Sequence, residues 1–381
     1  METIYFDNAA SAIPDPGAVK AYAAAANIYA NPSSLHSAGL AARKMIENAR
    51  SQVASAFRCR EEEIFFTSGG TESNNIAVRG CAHKNRHAGN VIVTAKAEHP
   101  SVYATANSLA AEGFETVFVS APGGIPDLGE LENVLKTRKV CLVALMQANN
   151  QNGAVTDLKK VRECMKNSGT GALLHSDAVQ AFLKLPEDHA GYAAAYCDTS
   201  SVSAHKIGGV KGCGALYVRK GLVLPPLFTG GEQENSLRCG TENLPGICAM
   251  GEAARLFNSE KCRRISELRE YLLCALNAEL GENVKISVPE PHIDTLVNIS
   301  LTGVKSEVIL NSLSAAGICV SSSSACSSKA KVNTALAALG YGKEYEMSAI
   351  RIGISPFNTE RELDALVLGL KNALSYRIKG K

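Results

Sequence analysis

Lys206 ends the run Asp198-Thr199-Ser200-Ser201-Val202-Ser203-Ala204-His205-Lys206 and directly precedes the glycine-rich Gly208-Gly209-Val210-Lys211-Gly212-Cys213-Gly214. A lysine enclosed by tightly turned backbone can lose its proton near neutral pH, and the free amine then condenses with an aldehyde to a Schiff base. Other stretches hold groups that would serve such an adduct. Leu174-His175-Ser176-Asp177-Ala178-Val179-Gln180 places an acid just after an apolar run. A buried carboxylate is costly without a cation, and a protonated pyridine nitrogen is a suitable one, although an Asp that caps the next helix gives the same pattern. Thr67-Ser68-Gly69-Gly70-Thr71-Glu72-Ser73 leads from an apolar run into a helical one. Its glycines let backbone N–H groups approach an anion at a helix amino terminus, and Thr71 adds a hydroxyl, so a phosphate would sit well there. A glycine turn that merely starts a helix reads the same. The run matches neither Gly-x-x-x-x-Gly-Lys-Ser/Thr nor Gly-x-Gly-x-x-Gly, which counts against ATP and NAD.

In Ala97-Glu98-His99-Pro100-Ser101, the proline starts a helix and leaves His99 at the rim of the sheet, where a lone histidine is more often structural than functional. Asn149 and Asn150 follow the apolar run Val140 to Met146. Arg351 lies inside Ile350-Arg351-Ile352-Gly353, an apolar strand, which argues against a plain surface arginine. Cys326 is set among serines, from Ser321 to Ser324 with Ser327 and Ser328, and the segment reads as a flexible loop.

These residues converge only if the elements around them form an open α/β sheet, whose ligands lie beyond the carboxyl ends of the strands. The pattern predicts this. Strand-like runs at Ile64 to Thr67, Val91 to Thr94, Thr116 to Val119, Val140 to Met146 and Ala172 to His175 alternate with helical segments. Those are Glu72 to Gly80, Ser101 to Glu112, Leu128 to Thr137 and Leu158 to Asn167. Such alternation means crossover connections, a mainly parallel sheet and helices on both faces. Ahead of it, Ser37 to Phe57 carries Ala42, Met45, Ala49, Val53 and Phe57 at helical spacing. From about Lys261 the pattern changes to a long helix through Leu280, strands near Val284 to Val288 and Leu296 to Ser300, and a closing helix from Glu360 to Leu374. A chain of 381 residues exceeds what one core serves, so residues 13–258 are expected to form a large domain and residues 1–12 with 259–381 a smaller one.

Thirty-nine Lys plus Arg against 37 Asp plus Glu leave a net charge of +2, too little to select nucleic acid or an anionic membrane. The amino terminus carries neither a basic segment nor an apolar signal core, and a cytoplasmic protein is expected. The twelve cysteines show no Cys-x-x-Cys pair, so reduced thiols are expected rather than disulfides or a metal site.

Taken together, the sequence resembles the class V PLP-dependent (pyridoxal 5'-phosphate) enzymes, and within them the cysteine desulfurases of the NifS/IscS-like type. The resemblance runs from Tyr5-Phe6-Asp7-Asn8-Ala9-Ala10 through Asn31-Pro32-Ser33-Ser34 to the last helix. It is most specific at Ser203-Ala204-His205-Lys206, at Gly231-Glu232-Gln233-Glu234 with Arg238-Cys239-Gly240-Thr241-Glu242-Asn243, and at Ser322-Ser323-Ser324-Ala325-Cys326. It implies the PLP-dependent transferase fold of type I, aspartate-aminotransferase-like, with a mainly parallel seven-stranded sheet in the large domain and a smaller α+β domain.

By the same resemblance Lys206 holds the cofactor as a Schiff base, His99 stacks on its ring and helps move protons, Asp177 pairs with the ring nitrogen and Gln180 meets the phenolic oxygen. Gly70, Thr71, Ser203 and His205 take the phosphate, with Thr241 reaching across from the other subunit of a homodimer. Arg351 grips the carboxylate of L-cysteine, assisted by Asn150, which also touches the cofactor, and Cys326 receives the sulfur as a persulfide while alanine leaves. The implied acceptor is an iron–sulfur scaffold protein or a tRNA sulfurtransferase. Selenocysteine lyase, or a related β-eliminating lyase, shares the cofactor site and is the nearest alternative. A sulfur-handling scaffold without cofactor is disfavoured by intact Lys206, Asp177 and His99. Gln151 stands where the family commonly has Glu, Ala204 where it has Gly, and Cys239 where it has Ser.

Overall fold

The computed structural model describes residues 3–185, 193–322 and 334–377. Thirteen strands occur among them. β1 (Ile4–Tyr5) is followed by β2 (Ile64–Thr67), β3 (Val91–Ala95), β4 (Glu115–Val119), β5 (Val140–Ala144), β6 (Leu173–Asp177), β7 (Thr199–Ser203) and β8 (Gly214–Val218). β9 (Val284–Ser287), β10 (Leu296–Leu301), β11 (Ile318–Cys319), β12 (Ser321–Ser322) and β13 (Ala349–Gly353) complete the set.

β2 to β8 form one seven-stranded sheet in the order β2-β8-β7-β6-β5-β3-β4. β8 runs antiparallel to both neighbours, and the other pairings are parallel. Both faces are covered, as a parallel sheet requires. Along β3, Val91 and Val93 belong to the core cluster that holds Leu131 and Val161 of the helices Leu128–Thr137 and Leu158–Asn167, whereas Ile92 between them belongs to the cluster that holds Ile76 and Val102 of the helices Gly70–Lys84 and Pro100–Ser108. Sequence grammar explains where the helices begin. Asp127 and Asp157 accept hydrogen bonds from the first-turn amides of Leu128–Thr137 and Leu158–Asn167, and Thr359 with Glu362 makes a capping box for Glu360–Ala373. The helix Ser37–Phe57 spans the expected residues, but Ile46 rather than Met45 lies fully inside its stripe.

β9, β10, β12 and β13 form an antiparallel sheet in the order β12-β13-β10-β9. Val297, Ile299, Ile350 and Ile352 of that sheet pack on Leu268, Leu272 and Leu276 of the helix Ser259–Leu280 and on Leu366 and Leu370. Phe6 joins this cluster although it lies more than 250 residues earlier in the chain. β1 pairs with β11, Asp7 bridges to Gly353, and the Gly353 amide donates to the Phe6 carbonyl at 2.7 Å. These bonds carry Ala9 and Ala10 to the end of the large sheet.

Two expectations need correction. The run from Asp198 to Ser203 is absent from the expected strands, yet Thr199–Ser203 is a strand with all five residues buried. Ser321 and Ser322 are not loop but β12, paired with Arg351 and Ile350 of β13. The backbone hydrogen bonding of β13 decides, since a serine fits a pleated strand when a polar neighbour receives its hydroxyl. No helix among the described residues is long and apolar enough to cross a membrane.

Candidate active site

The carboxyl ends of β2, β3, β5, β6 and β7 open on one cavity of about 390 Å³. β2 leads into Gly70 and Thr71, β3 into His99, β5 into Asn150, β6 into Asp177 and Gln180, and β7 into His205 and Lys206, with Ser203 at its own end. All of these line the cavity, and Arg351 of β13 closes it. Thus ten side chains or turns read from the sequence meet at one place. Thr241 is exposed on the surface and is not part of this chain's cavity wall. Cys326 lies outside the described residues.

Lys206 Nζ donates to the carbonyls of Ala9 and Ala10, each at 2.7 Å. Burial first and the Arg351 guanidinium second bring its pKa down to about 8, against the opposing charges of Asp177 and Asp7. Asp177 is buried, and its carboxylate accepts from Asn74 Nδ2 at 2.7 Å and from the Val179 amide at 3.0 Å. His99 caps the helix Pro100–Ser108: its Nδ1 lies 3.2 Å from the Ser101 amide and 2.7 Å from Ser101 Oγ. Burial holds the His99 imidazole below its ordinary pKa. Burial, then the Lys206 charge, brings His205 down to about 4, and its Nδ1 lies 3.3 Å from Ser11 Oγ.

The helix Gly70–Lys84 starts without any side-chain cap, so its first amides remain available to an anion. Gly69 has φ +153°, and a Cβ on Gly70 would come within 2.7 Å of Val179 Cγ2, so this turn demands glycine. Gln180 Nε2 donates to the Ala9 carbonyl at 2.9 Å, and Gln180 Oε1 faces Lys184 Nζ at 3.4 Å. Arg351 Nη1 donates to the Asn150 carbonyl at 2.8 Å, and its Nη2 lies 3.6 Å from Asp7 and 3.3 Å from Ser321 Oγ. Two buried polar atoms on the cavity wall have no partner among the described residues: Arg351 Nε, a donor, and Asn150 Oδ1, an acceptor. Buried polar groups in folded proteins are paired, so a molecule carrying both an acceptor and a donor completes this wall.

The donor set fits pyridoxal phosphate. An amine of depressed pKa, an acid at depth, and an uncapped helix start beside Thr71, Ser203 and His205 answer its aldehyde, ring nitrogen and phosphate. Gln151 does not line the cavity; it is buried, with its carbonyl accepting from Asn298 Nδ2 at 2.8 Å. Sequence reasoning missed Asn74 and Ser101, which line the cavity, and the carbonyls that hold Lys206. The signal for Asn74 is a polar residue on the inward stripe of a helix, beside buried Ile76, Ala77 and Val78.

The family model for aminotransferase class-V matches residues 4–366. A Bacillus subtilis protein named putative cysteine desulfurase IscS 1 is 34% identical over 370 residues, covering 95% of this chain and 96% of the relative. A Trichormus azollae cysteine desulfurase is 36% identical over 376 residues, covering 96% and 92%. A solved NifS-like protein superposes with a TM-score of 0.90 at 32% identity over 98% of this chain and 100% of the other. One from Rickettsia africae gives 0.85 at 30% identity with the same coverage. The seven-stranded sheet is that of PLP fold type I, and by sequence and by structure this chain belongs to the aminotransferase class-V family, in its NifS/IscS-like cysteine desulfurase branch.

Proposed function

We propose that this protein is a PLP-dependent cysteine desulfurase that converts L-cysteine to L-alanine and leaves the sulfur on Cys326. The observation that carries the proposal is the pair of orphaned groups, Arg351 Nε and Asn150 Oδ1, on the wall that also holds Lys206. An α-amino acid supplies a carboxylate to the first, and the substrate or cofactor supplies a donor to the second. The names of the relatives support cysteine as that amino acid.

Lys206, Asp177 and Gln180 would hold the cofactor's aldehyde carbon, ring nitrogen and ring oxygen, and Gly70, Thr71, Ser203 and His205 its phosphate. PLP supplies an aldehyde that condenses with amines and a ring that takes up electron pairs. Arg351 orients the substrate, Lys206 in its neutral form takes the proton from the substrate's α carbon, and His99 moves protons on the open face of the cavity. The Cys326 thiolate takes the substrate sulfur: an S–S bond forms as the Cβ–S bond breaks. The electron pair of the broken bond stays with the three-carbon fragment, which leaves as alanine after gaining a proton.

Further parts of the proposal are a homodimer, a cytoplasmic location, and transfer of the persulfide sulfur to an iron–sulfur scaffold or a tRNA sulfurtransferase. Exposed Thr241, together with Tyr29 at 99% and Leu35 at 84% exposure, supports a second copy covering that region. The division into residues 13–258 and residues 1–12 with 259–381 belongs here too, supported by the cluster that joins Phe6 to the carboxyl-terminal elements. The test compares the wild type with Cys326→Ala and Lys206→Ala. The wild type should release alanine and carry an extra sulfur on the Cys326 peptide; Cys326→Ala should bind PLP without forming sulfide; Lys206→Ala should do neither. Full alanine release by Cys326→Ala would overturn the thiol's part.

A further inference from the structure

A run of polar side chains lies buried beneath the cavity. His175, Thr199 and Cys81 have no exposed surface, and Asn74 has 1%. Asn74 Nδ2 lies 2.7 Å from Asp177 Oδ2 and 2.8 Å from Ser101 Oγ. Asn74 Oδ1 lies 3.0 Å from His175 Nε2, His175 Nδ1 lies 2.9 Å from Thr199 Oγ1, and Thr199 Oγ1 lies 3.7 Å from Cys81 Sγ.

The donor and acceptor roles follow from one end. A carboxylate only accepts, so the amide nitrogen of Asn74 must face Asp177, and its oxygen must face His175. That oxygen also only accepts, which puts the His175 proton on Nε2. Burial brings His175 down to about pKa 4, so the ring is neutral and its Nδ1 accepts from the Thr199 hydroxyl, which in turn accepts from the Cys81 thiol. The second Asn74 N–H enters Ser101 Oγ. The Ser101 hydroxyl proton is therefore directed to His99 Nδ1, which the Ser101 amide also reaches at 3.2 Å. A nitrogen accepting from two donors carries no proton, so neutral His99 holds its proton on Nε2.

We propose that Asn74 and His175 are positioning residues, through which the carboxylate of Asp177 dictates that the His99 imidazole presents a protonated Nε2 to the cavity. Neither residue is a general acid or base. His175 keeps Asn74 from rotating, Asn74 ties Asp177 to Ser101, and Ser101 sets His99. This deepens the proposed function and rests on it where the cofactor is concerned, but the tautomers are properties of the chain alone.

The experiment is nitrogen NMR of histidine-labelled full-length protein stripped of cofactor, which reports the protonated ring nitrogen directly. Wild-type His99 and His175 should both show the Nε2-protonated form. Ser101→Ala and Asn74→Ala should each raise the Nδ1-protonated population of His99, on the order of fivefold or more, because the first removes a donor to Nδ1 and the second frees the Ser101 hydroxyl to turn away from it. His175→Gln retains an N–H toward Asn74 and should leave His99 unchanged, whereas His175→Leu should reproduce the Asn74→Ala spectrum. With PLP, Asn74→Ala and His175→Leu should weaken cofactor binding about tenfold or more, and His175→Gln should restore most of it. A proton on Nδ1 of wild-type His99, or an unchanged tautomer in both Ser101→Ala and Asn74→Ala, overturns the inference. Ser101→Ala removes a single oxygen, which keeps the test valid if the Asn74 and His175 variants fail to fold. Failure of the wild type to bind PLP would count against the proposed function and leave the tautomer result standing.

Discussion

The pKa of Lys206 makes a quantitative forecast for cofactor capture. Only the neutral amine attacks an aldehyde. With a pKa of about 8 in place of the ordinary 10.5, about one Lys206 in ten is neutral at pH 7, against about one in three thousand for a free lysine side chain, an advantage on the order of 300-fold. The cause is burial first and the Arg351 guanidinium second. The Asp177 and Asp7 charges favour the ammonium form and limit the drop. The assay is stopped-flow capture of PLP by cofactor-free protein from about pH 6 to about pH 10, divided at each pH by the rate for an α-acetylated lysine, which cancels the ionisation of PLP itself. Because the reactive form is the deprotonated one, the protein's rate should climb about tenfold per pH unit and level off above about pH 8, while the reference keeps climbing. The ratio should be flat below about pH 8 and fall beyond it. Arg351→Met removes the neighbouring positive charge and should move the break to higher pH. A ratio that stays constant to about pH 10 would mean an ordinary lysine and would refute the burial argument.

Asp177→Asn keeps the shape but removes the charge beneath the proposed ring nitrogen, and should weaken PLP binding roughly 10- to 100-fold, read by equilibrium titration of the visible absorbance. Arg351→Met should raise KM for cysteine by about 30-fold or more while PLP capture persists, since it removes a carboxylate partner and not the imine-forming amine. Phe57 is buried, with its ring 4.6 Å from Phe182 and 5.9 Å from Tyr217, so Phe57→Ala should cost about 3–5 kcal/mol of stability, visible as a lower urea midpoint. Cys326→Ala should leave that midpoint and PLP capture unchanged while abolishing cysteine-dependent sulfide.

Much of the architecture was readable because the parallel strands are apolar and short and their helices carry caps, so Ile64–Thr67, Leu128–Thr137 and Leu158–Asn167 have the expected bounds. β7 escaped because its residues, Thr199-Ser200-Ser201-Val202-Ser203, lack the apolar signature of a buried strand. Their polarity has a local cause at Thr199, whose hydroxyl meets His175. β8 escaped as well, since strand–helix alternation predicts parallel neighbours, whereas the ten-residue connection 204–213, with Gly208 and Gly212 at positive φ, returns the chain antiparallel. The strand ends named nine of the cavity's residues because open sheets place ligands there, and Arg351 stood out by its place inside an apolar strand. Contacts that join distant segments left no local trace: Ala9 and Ala10 reach Lys206 only through the pairing of the amino terminus with β11 and Gly353. Asn74 and His175 act through each other, and pairing between buried polar residues cannot be read one position at a time.

Lys184 gives the decisive comparison. It is buried, its pKa is brought down to about 7 by burial and by Lys206, and it touches the same Gln180, so it is the one other lysine of comparable reactivity in the neighbourhood among the described residues. Only Lys206 lines the large cavity. Borohydride reduction of the PLP-loaded protein followed by peptide mass spectrometry should place the pyridoxyl label on the peptide containing Lys206 alone. A label on Lys184, or no label at all, would contradict the account.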